Sequence, residues 1–379
     1  MRLKFILVHV GPIHKYPPAM AVLQTLSDFG YEVVLCTTDI TEEVKNICDV
    51  RKIKVINIKA NFETPKNQLD KLSKLIKLKK EIWKEIDLIY DESSVLWVFS
   101  DATLKHLGRK LLERKYVLHM FELSKEVYYH HKIPIISVNM KKYAQSALCV
   151  IQAEYNRSHI SKIWWDLEKL PVVFPNKPYQ KKEIRKYSSI TDKTANLTIE
   201  KIKGRKIILY QGNLGGERPL ENLIKAVDRL GNEYAFVVMS GSEDIYEHIN
   251  SDNYFFIPYV SAPLHLEITS HAFIGVMSYV PVKNGYSKLN ALYCAPNKIY
   301  EYSMFGIPMI GNDIPGLSNI FRSTNSGVCV EKFDEDSIVD AIAKIENEYT
   351  DMSFNSKKFY NDTNVNNRIK KIINEIVDS

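Results

Sequence analysis

The chain has 379 residues, 45% of them hydrophobic and 25% charged, and this length favours two domains of about 150 to 200 residues over a single hydrophobic core. Its formal net charge of +6 suits anionic ligands such as nucleotides or lipid phosphates, whereas a nucleic-acid-binding protein would concentrate more positive charge in one patch. No segment approaches the roughly 18 consecutive apolar residues that a membrane-spanning helix needs, so we expect a globular protein.

The N-terminal segment predicts a strand, a loop, a helix and a second strand. Apolar residues run from Leu3 to Val10, and apolar residues at helical spacing follow between 19 and 29. The opening apolar run is short and ends in Gly11-Pro12, so we interpret it as a buried strand and not as a secretory signal. The loop GPIHKYPP follows the carboxyl end of this strand, where open α/β sheets bind ligands. His14 is a candidate hydrogen-bond donor there, and an ordinary solvated histidine is an equally good interpretation.

Residues 67–86, NQLDKLSKLIKLKKEIWKEI, predict a basic amphipathic helix. Its apolar residues fall near one face and its lysines crowd the others: Leu69, Leu72, Ile76, Trp83 and Ile86 against Lys71, Lys74, Lys77, Lys80 and Lys84. A helix of this kind can rest on an anionic membrane surface. It can equally pack on its own sheet with a solvated lysine face, and both interpretations stay open at this point.

Further strands are predicted at 87–90 and 116–119, and the sequence HMFELSKE follows the second of them. Glu122 in this loop could accept a hydrogen bond from a substrate hydroxyl or orient a proton transfer. A helix cap or an ion pair on the loop is the alternative role for this carboxylate. After a further strand and helix, we interpret the lysine-rich stretch 176–205, which has few apolar residues, as a linker.

The second half of the chain restarts the pattern of strand, loop and helix. A strand at 206–210 is followed by the glycine-rich loop QGNLGGERP and a helix at 220–230. Loops of this type often bind phosphate, because their backbone N–H groups can approach an anion closely. Gly212 and Asn213 lie in this loop. Arg218 at its end can add positive charge, and a solvated surface charge is the alternative.

The segment CAPNKIYEYSMFGIPMIGN, 294–312, predicts a turn, a short helix and a strand. Asn297 and Lys298 stand at the start of this helix, where free backbone N–H groups and a partial positive charge attract phosphate. Glu301 lies one helical turn further on and would then face the ribose of a nucleotide.

This segment resembles a motif of the retaining, metal-independent glycosyltransferases of the GT-B fold, close to glycosyltransferase family 4. Their C-terminal domains carry a helix of the form P-N-K-x-x-E-Y followed by x-x-G-x-P-V-I. The resemblance implies an α/β fold of two Rossmann-like domains that face each other across a cleft. On this basis we expect an acceptor-side domain over 1–175, a linker over 176–205, a nucleotide-sugar-binding domain over 206–355, and a C-terminal helix over 356–379 that packs back on the first domain.

The resemblance also assigns roles to residues of both domains. Arg218 matches a basic residue that binds the diphosphate, and Arg218 and Lys298 are expected to stabilise the charge that develops on the leaving group. Glu122 matches the glutamate of the family's D-A-H-E-L loop and completes the expected catalytic set. The other expected contacts to the nucleotide sugar are Gly11, His14, Gly212, Asn213, Asn297 and Glu301.

Several positions depart from the family's pattern. Tyr293 stands where many members have the first of two glutamates, and Asn213 stands where they have a first arginine. His119 and Phe121 replace the aspartate and histidine of the D-A-H-E-L loop. The Asp-x-Asp form at 334–336 binds divalent metal in other glycosyltransferases, but here it directly precedes a helical pattern, so acidic residues of a first helical turn explain it better and we expect no metal site.

We therefore expect a hexosyltransferase that moves a sugar from a nucleotide-diphosphate sugar to a saccharide or lipid-linked acceptor, with retention of configuration and without a cofactor. The resemblance implies a place in surface polysaccharide biosynthesis. Five scattered cysteines indicate reduced thiols in a cytoplasmic protein, which the helix at 67–86 could bring to the inner face of the membrane. The alternatives are a sugar-nucleotide 2-epimerase or a phosphorylase on the same fold, and a non-catalytic glycosyltransferase-like partner subunit.

Overall fold

The computed structural model describes residues 3–59, 67–128, 137–179, 186–216, 218–282 and 287–378. The chain divides into two compact units. Unit 1 consists of Met1–Tyr179 together with Asn364–Ser379, and unit 2 consists of Gln180–Thr363. None of the helices in these described ranges is both long enough and apolar enough to cross a membrane.

The sheet of unit 1 is parallel, and its described strands follow the order β3-β2-β1-β4-β5-β8-β9, with a separate antiparallel ribbon of β6 and β7. The strands are β1 (Lys4–Pro12), β2 (Glu32–Asp39), β3 (Lys54–Asn57), β4 (Ser94–Phe99), β5 (Tyr116–His119), β6 (Val127–Tyr128), β7 (Ser137–Val138), β8 (Cys149–Gln152) and β9 (Val172–Val173). Strand β1 lies between β2 and β4, so the strand order reverses at β1. Ligands of open α/β sheets bind at the carboxyl ends of the strands at such a switch point.

Helices cover both faces of this sheet. They are α1 (Pro17–Asp28), α2 (Glu42–Val50), α3 (Gln68–Asp87), α4 (Ser100–Leu107), α5 (Met140–Gln145) and α6 (Tyr155–Trp165), with 3-10 helices at Ile13–Lys15 and Gly108–Glu113. Alternate residues of β1 enter separate apolar clusters, Phe5 and Leu7 on one face and Ile6 and Val8 on the other. The uninterrupted apolar run at the start of the chain therefore reflects a strand that is buried on both faces.

Unit 2 repeats this design with a parallel sheet whose described strands follow the order β12-β11-β10-β13-β14-β15. The strands are β10 (Lys206–Gln211), β11 (Tyr234–Ser240), β12 (Tyr254–Pro258), β13 (Ile274–Met277), β14 (Met309–Asn312) and β15 (Gly327–Val330). The helices are α7 (Lys193–Lys201), α8 (Glu221–Leu230), α9 (His265–Thr269), α10 (Lys288–Leu292), α11 (Lys298–Ser303), α12 (Pro315–Thr324), α13 (Glu335–Asn347) and α14 (Tyr349–Asp362). The switch point lies at the carboxyl ends of β10 and β13.

The last helix, α15 (Val365–Val377), belongs to unit 1. Its isoleucines recur at intervals of three and four residues and join the apolar cluster that contains α1: Ile369, Ile372, Ile373 and Ile376. The structure differs from our predicted ranges in two places. Helix α7 lies inside the predicted linker 176–205 and buries Ala195 and Ile199 in unit 2, and α14 extends unit 2 beyond residue 355. The few apolar residues of α7 are enough to pack this short helix against the core of unit 2.

Helix α3 is covered by the core along only part of its apolar face. Trp83 and Ile86 are buried, and the indole N–H of Trp83 donates to the Leu107 carbonyl at 2.8 Å. Leu72 and Ile76 have the same helical phase but are 53% and 45% exposed. The spacing of these residues is consistent with the predicted shared face. Only the C-terminal half of α3, however, packs its apolar residues into the core of unit 1. The side chains of Leu69 and Lys71 lie outside the described residues.

Candidate functional site

The glycine-rich loop that follows β10 is shaped by hydrogen bonds to its backbone. The hydroxyl of Tyr210 donates to the Asn213 carbonyl at 2.6 Å, and the Leu214 N–H donates to the Ser242 hydroxyl at 3.2 Å. Gly212 has φ of +130°, in a region that side-chain-bearing residues rarely adopt. A Cβ at Gly212 would lie 3.6 Å from Lys298 Nζ, so the backbone at Gly212 approaches this ammonium closely.

Arg218 and Lys298 bring two cations to the same aromatic ring. The Cζ of Arg218 lies 4.6 Å from the centroid of the Tyr279 ring, and Lys298 Nζ lies 5.2 Å from it. Lys298 Nζ also lies 4.3 Å from the centroid of Tyr210, so the ammonium is held between two tyrosines. The amide oxygen of Asn312 accepts a hydrogen bond from the Tyr279 N–H at 2.7 Å and fixes this position of the chain.

Lys298 is a buried cation that lies beside a second cation, Arg218. Lys298 is only 8% exposed, and its Nζ has no hydrogen-bond partner among the residues that the structure describes. Burial and the neighbouring Arg218 charge lower the pKa of Lys298 well below its ordinary value, although Glu301 and Cys294 oppose this. An anion bound beside Lys298 and Arg218 would remove this penalty, which makes the pair suited to a diphosphate.

Helix α11 is fixed against the sheet by Tyr302. The Tyr302 side chain is fully buried and its hydroxyl donates to the Leu209 carbonyl at 2.9 Å. Its ring covers Gly275, where an added Cβ would lie 2.4 Å from the ring atom Cδ2. Glycine at 275 therefore lets the helix lie close enough to β10 and β13 for Lys298 and Glu301 to reach the switch point.

Helix α11 is short and starts without a side-chain cap among the described residues, and its predicted contact with phosphate stays a prediction. The helix has six residues, and the side chain of Asn297 makes no capping hydrogen bond to the described first turn. Few peptide dipoles are aligned in so short a helix, so its N-terminus carries little positive charge. The side chains of Lys298 and Arg218, rather than the helix end, supply the positive charge. Asn297 is half-buried and remains a predicted contact.

Glu301 is surrounded by hydrogen-bond donors that the sequence analysis did not identify. Its Oε2 accepts from Gln211 Nε2, and its Oε1 lies 3.4 Å from His265 Nε2. Burial works to raise the pKa of Glu301, but His265, Gln211 and Lys298 outweigh this effect and the pKa lies below its usual value. Gln211 is the last residue of β10, directly before Gly212, and this position was the one signal for it in the sequence. Nothing in the sequence singles out His265.

Of the candidate residues of unit 1, Gly11 lies in the last residues of β1, and His14 and Glu122 follow the carboxyl ends of β1 and β5. The Gly11 N–H donates to the Thr38 hydroxyl at 2.9 Å, and His14 is half-buried in the 3-10 helix that follows. Glu122 is 41% exposed, and its Oε2 lies 3.9 Å from an Arg157 nitrogen that donates to the Phe121 carbonyl at 2.9 Å. The ion-pair alternative for Glu122 is therefore present, and it leaves part of the carboxylate accessible to solvent.

Asp334 and Asp336 have structural partners. Asp334 caps α13, because its carboxylate accepts from the Ser337 N–H at 3.0 Å, and Asp336 lies 2.6 Å from a nitrogen of Arg229. Within the described ranges, three or more His, Cys, Asp or Glu side chains never cluster as a metal site would require. The five cysteines are free thiols: Cys36, Cys48, Cys149, Cys294 and Cys329.

Comparisons with known proteins agree with this architecture. Residues 192–361, which make up most of unit 2, match the family model described as "Glycosyl transferases group 1". No curated protein sequence matches the chain.

Three of the matching solved structures illustrate this similarity, and each covers nearly all of the chain. HepE of Anabaena superposes with a TM-score of 0.67 at 12% identity and covers 100% of both chains. A glycosyltransferase from Rickettsia africae gives 0.63 at 14% identity, covering 99% of this chain and 98% of its own. Sucrose-phosphate synthase from Thermosynechococcus elongatus gives 0.60 at 14% identity, covering 100% and 97%. The chain therefore has the GT-B fold, and residues 192–361 of its second unit match the group 1 glycosyl transferase family model.

Proposed function

We propose that the protein is a glycosyltransferase that uses a nucleotide-diphosphate sugar as donor. The observation that carries this proposal is that two cations, Arg218 and Lys298, face one tyrosine ring near the carboxyl end of β10. The carboxylate of Glu301 lies one helical turn after Lys298 on α11. Two cations match a diphosphate, and a carboxylate matches the hydroxyls of a ribose. The Anabaena HepE structures contain UDP with glucose, and UDP-glucose, which supports a uridine nucleotide as the first donor to test.

In this reaction the departing nucleoside diphosphate gains negative charge as the bond to the anomeric carbon breaks. Arg218 and Lys298 are held in place before the reaction, so they can stabilise this charge without reorganisation. We propose retention of configuration, with an oxygen of the leaving phosphate taking the acceptor proton, and no metal ion in the reaction. Asn213, Asn297 and Gly212 are the proposed backbone and side-chain contacts to the nucleotide sugar.

The acceptor is proposed to be a saccharide or a lipid-linked saccharide of surface polysaccharide biosynthesis, bound through unit 1 with Glu122 as a contact to its hydroxyl. Gly11 and His14 are proposed to face the donor. The exposed apolar residues Leu72 and Ile76 lie beside exposed lysines on α3, which supports contact with an anionic membrane at its cytoplasmic face. The exposed lysines of this surface are Lys77, Lys80 and Lys84.

Three rival functions keep the same fold. A sugar-nucleotide 2-epimerase would convert the donor without an acceptor, and a phosphorylase would need inorganic phosphate, so product analysis with donor alone and with phosphate separates both. A non-catalytic partner subunit would have lost donor binding. Lys298 argues against the partner subunit, because a buried cation destabilises the fold unless a ligand compensates it.

Thermal melting with a panel of nucleotide sugars tests the proposal. A ligand present at about 100 times its dissociation constant stabilises a protein by about 2.7 kcal/mol. We expect one donor class to raise the melting temperature of the parent and not that of Arg218→Ala. Radiolabelled transfer with that donor then separates the transferase from the epimerase. Absence of stabilisation by every nucleotide sugar would contradict the proposal and favour the partner subunit.

A further inference from the structure

We propose that Gln211, Thr269 and His265 form a positioning network that sets the orientation of the Glu301 carboxylate and thereby makes the site select ribonucleotides over deoxyribonucleotides. This inference rests on the proposed function, because it concerns the nucleotide part of the donor. The three residues come from β10 and α9, so they approach Glu301 from outside its own helix.

The first part of the network is a directed chain of hydrogen bonds. The hydroxyl of Thr269 lies 2.7 Å from Gln211 Oε1, to which it donates, and it also lies 3.0 Å from the His265 carbonyl. Gln211 Nε2 donates to Glu301 Oε2. A carboxylate only accepts hydrogen bonds, so the amide nitrogen of Gln211 must face Glu301, and Thr269 stabilises this orientation of the amide. Gln211 and Thr269 are both buried, so water does not compete with these bonds.

His265 holds the second carboxylate oxygen. Its Nε2 lies 3.4 Å from Glu301 Oε1, and its Nδ1 is buried without a hydrogen-bond partner in the described part of the chain. Because Glu301 only accepts, His265 Nε2 carries the proton that faces Oε1.

Each oxygen of Glu301 thus has one donor among the described residues, which leaves acceptor capacity on both oxygens. An ionised carboxylate can accept about four hydrogen bonds, and the two vicinal hydroxyls of a ribose would fill the two remaining positions. A site whose carboxylate is held in this way rejects a ligand that lacks one hydroxyl, because an acceptor is then left unpaired. Loss of the network should therefore reduce the preference for ribonucleotides over deoxyribonucleotides, and not only the overall affinity for nucleotides.

Calorimetric titration tests this inference with UDP, GDP and ADP and with their 2′-deoxy and 3′-deoxy counterparts. We expect the parent to bind its preferred ribonucleotide roughly 10- to 100-fold more tightly than at least one deoxy counterpart, as for loss of a hydrogen bond to a charged group. Gln211→Leu should reduce this ratio to within about threefold, as expected when the acceptor is no longer oriented. Affinity for the deoxy counterpart should change much less, since Arg218 and Lys298 remain.

Matched variants separate positioning from folding. Thr269→Val removes the hydroxyl at nearly constant volume and should lower the ratio, whereas Thr269→Ser should preserve it. His265→Gln keeps a donor and should retain more discrimination than His265→Leu. Melting temperatures are compared in parallel. A ratio that is unchanged in both Gln211→Leu and Thr269→Val would overturn the network.

The outcomes also distinguish this inference from the proposed function. A parent that binds nucleotides without discriminating against deoxy forms would overturn the inference and leave the donor proposal in place. A parent that binds none of these nucleotides would overturn both.

Discussion

Arg218 is the neighbour whose charge, after burial itself, does most to lower the pKa of Lys298. The two cations face one tyrosine ring, at 4.6 Å and 5.2 Å from its centroid. A buried cation such as Lys298 with a like charge beside it destabilises the folded protein unless an anion binds there. The arrangement is therefore suited to ligand binding at the expense of stability.

Replacing Lys298 with methionine should stabilise the protein and abolish diphosphate binding together. An apolar side chain in place of a buried charge removes the desolvation penalty of that charge, so the free energy of unfolding should rise by about 1 kcal/mol or more. In a unit of this size that corresponds to at least about 2 °C in melting temperature. Differential scanning calorimetry and nucleotide titration measure the two effects. Lys298→Arg, which keeps the charge, is the matched control and should show no stabilisation.

The stabilisation by Lys298→Met should depend on pH with a definite sign. The folded pKa of Lys298 lies below the unfolded value, so between the two the unfolded state binds more protons and the parent gains stability as the pH rises. The advantage of the methionine variant should thus be largest below the folded pKa of Lys298, and should shrink as the pH rises from there toward the unfolded pKa of about 10.4. An advantage that grows with pH would contradict the buried-cation interpretation.

Gly275→Ala should destabilise unit 2 and weaken nucleotide binding. The new Cβ would lie 2.4 Å from Tyr302 Cδ2, so the ring and α11 must shift, and overpacking of this kind costs about 1 to 3 kcal/mol. Gly241→Ala is the matched control for stability, because its Cβ would meet the nearest atom, of Tyr259, at 3.5 Å, an ordinary contact. Urea unfolding of the two variants should separate them. Equal stability would show that α11 can move freely.

The sequence predicts the parallel strands well because the core dictates them. Buried strands such as β1 read as uninterrupted apolar runs, and a glycine-rich loop marks the carboxyl end of β10. Helix α7 was interpreted as linker because a short helix with two buried residues leaves a weak apolar pattern. Only the local sequence pattern can indicate the structure of such a segment, and the pattern of α7 is too weak to predict a helix.

The charged residues of the candidate site were also predictable, whereas their surroundings were not. Arg218, Lys298 and Glu301 carry a motif, but Gln211 and His265 meet Glu301 only through the fold, from positions 90 and 36 residues away in the chain. The burial of Lys298 between two tyrosines likewise depends on long-range contacts. Residue type and spacing cannot encode such contacts without the topology of the sheet.

Helix α3 should bind anionic membranes through its exposed apolar residues Leu72 and Ile76 and its exposed lysines. Lys77→Glu combined with Lys80→Glu should weaken binding to vesicles containing phosphatidylserine, since each near-surface lysine contributes about 1 kcal/mol. Lys74 is left unchanged because it lies 3.3 Å from Asp70. Cosedimentation with anionic and with neutral vesicles measures the effect. Identical binding of parent and variant to anionic vesicles would return α3 to an ordinary surface helix.

Transfer activity should persist in excess chelator. The charge that stabilises the leaving diphosphate is proposed to come from Arg218 and Lys298, while Asp334 and Asp336 are engaged as a helix cap and an ion pair. Steady-state rates are measured with and without EDTA, before and after addition of Mg²⁺ or Mn²⁺. A strict requirement for either ion would refute metal independence.

Arg218→Ala should lower the turnover number as well as donor affinity. If the guanidinium stabilises charge that grows as the glycosidic bond breaks, it acts more strongly in the transition state than in the ground state. Loss of one such preorganised group should reduce kcat roughly 100-fold or more. Arg229→Ala is the matched control, because Arg229 is exposed on α8 and pairs with Asp336 rather than with the site. Steady-state kinetics with the identified donor and acceptor, supported by melting curves, separate the two variants, and full turnover in Arg218→Ala would exclude a catalytic role for this residue.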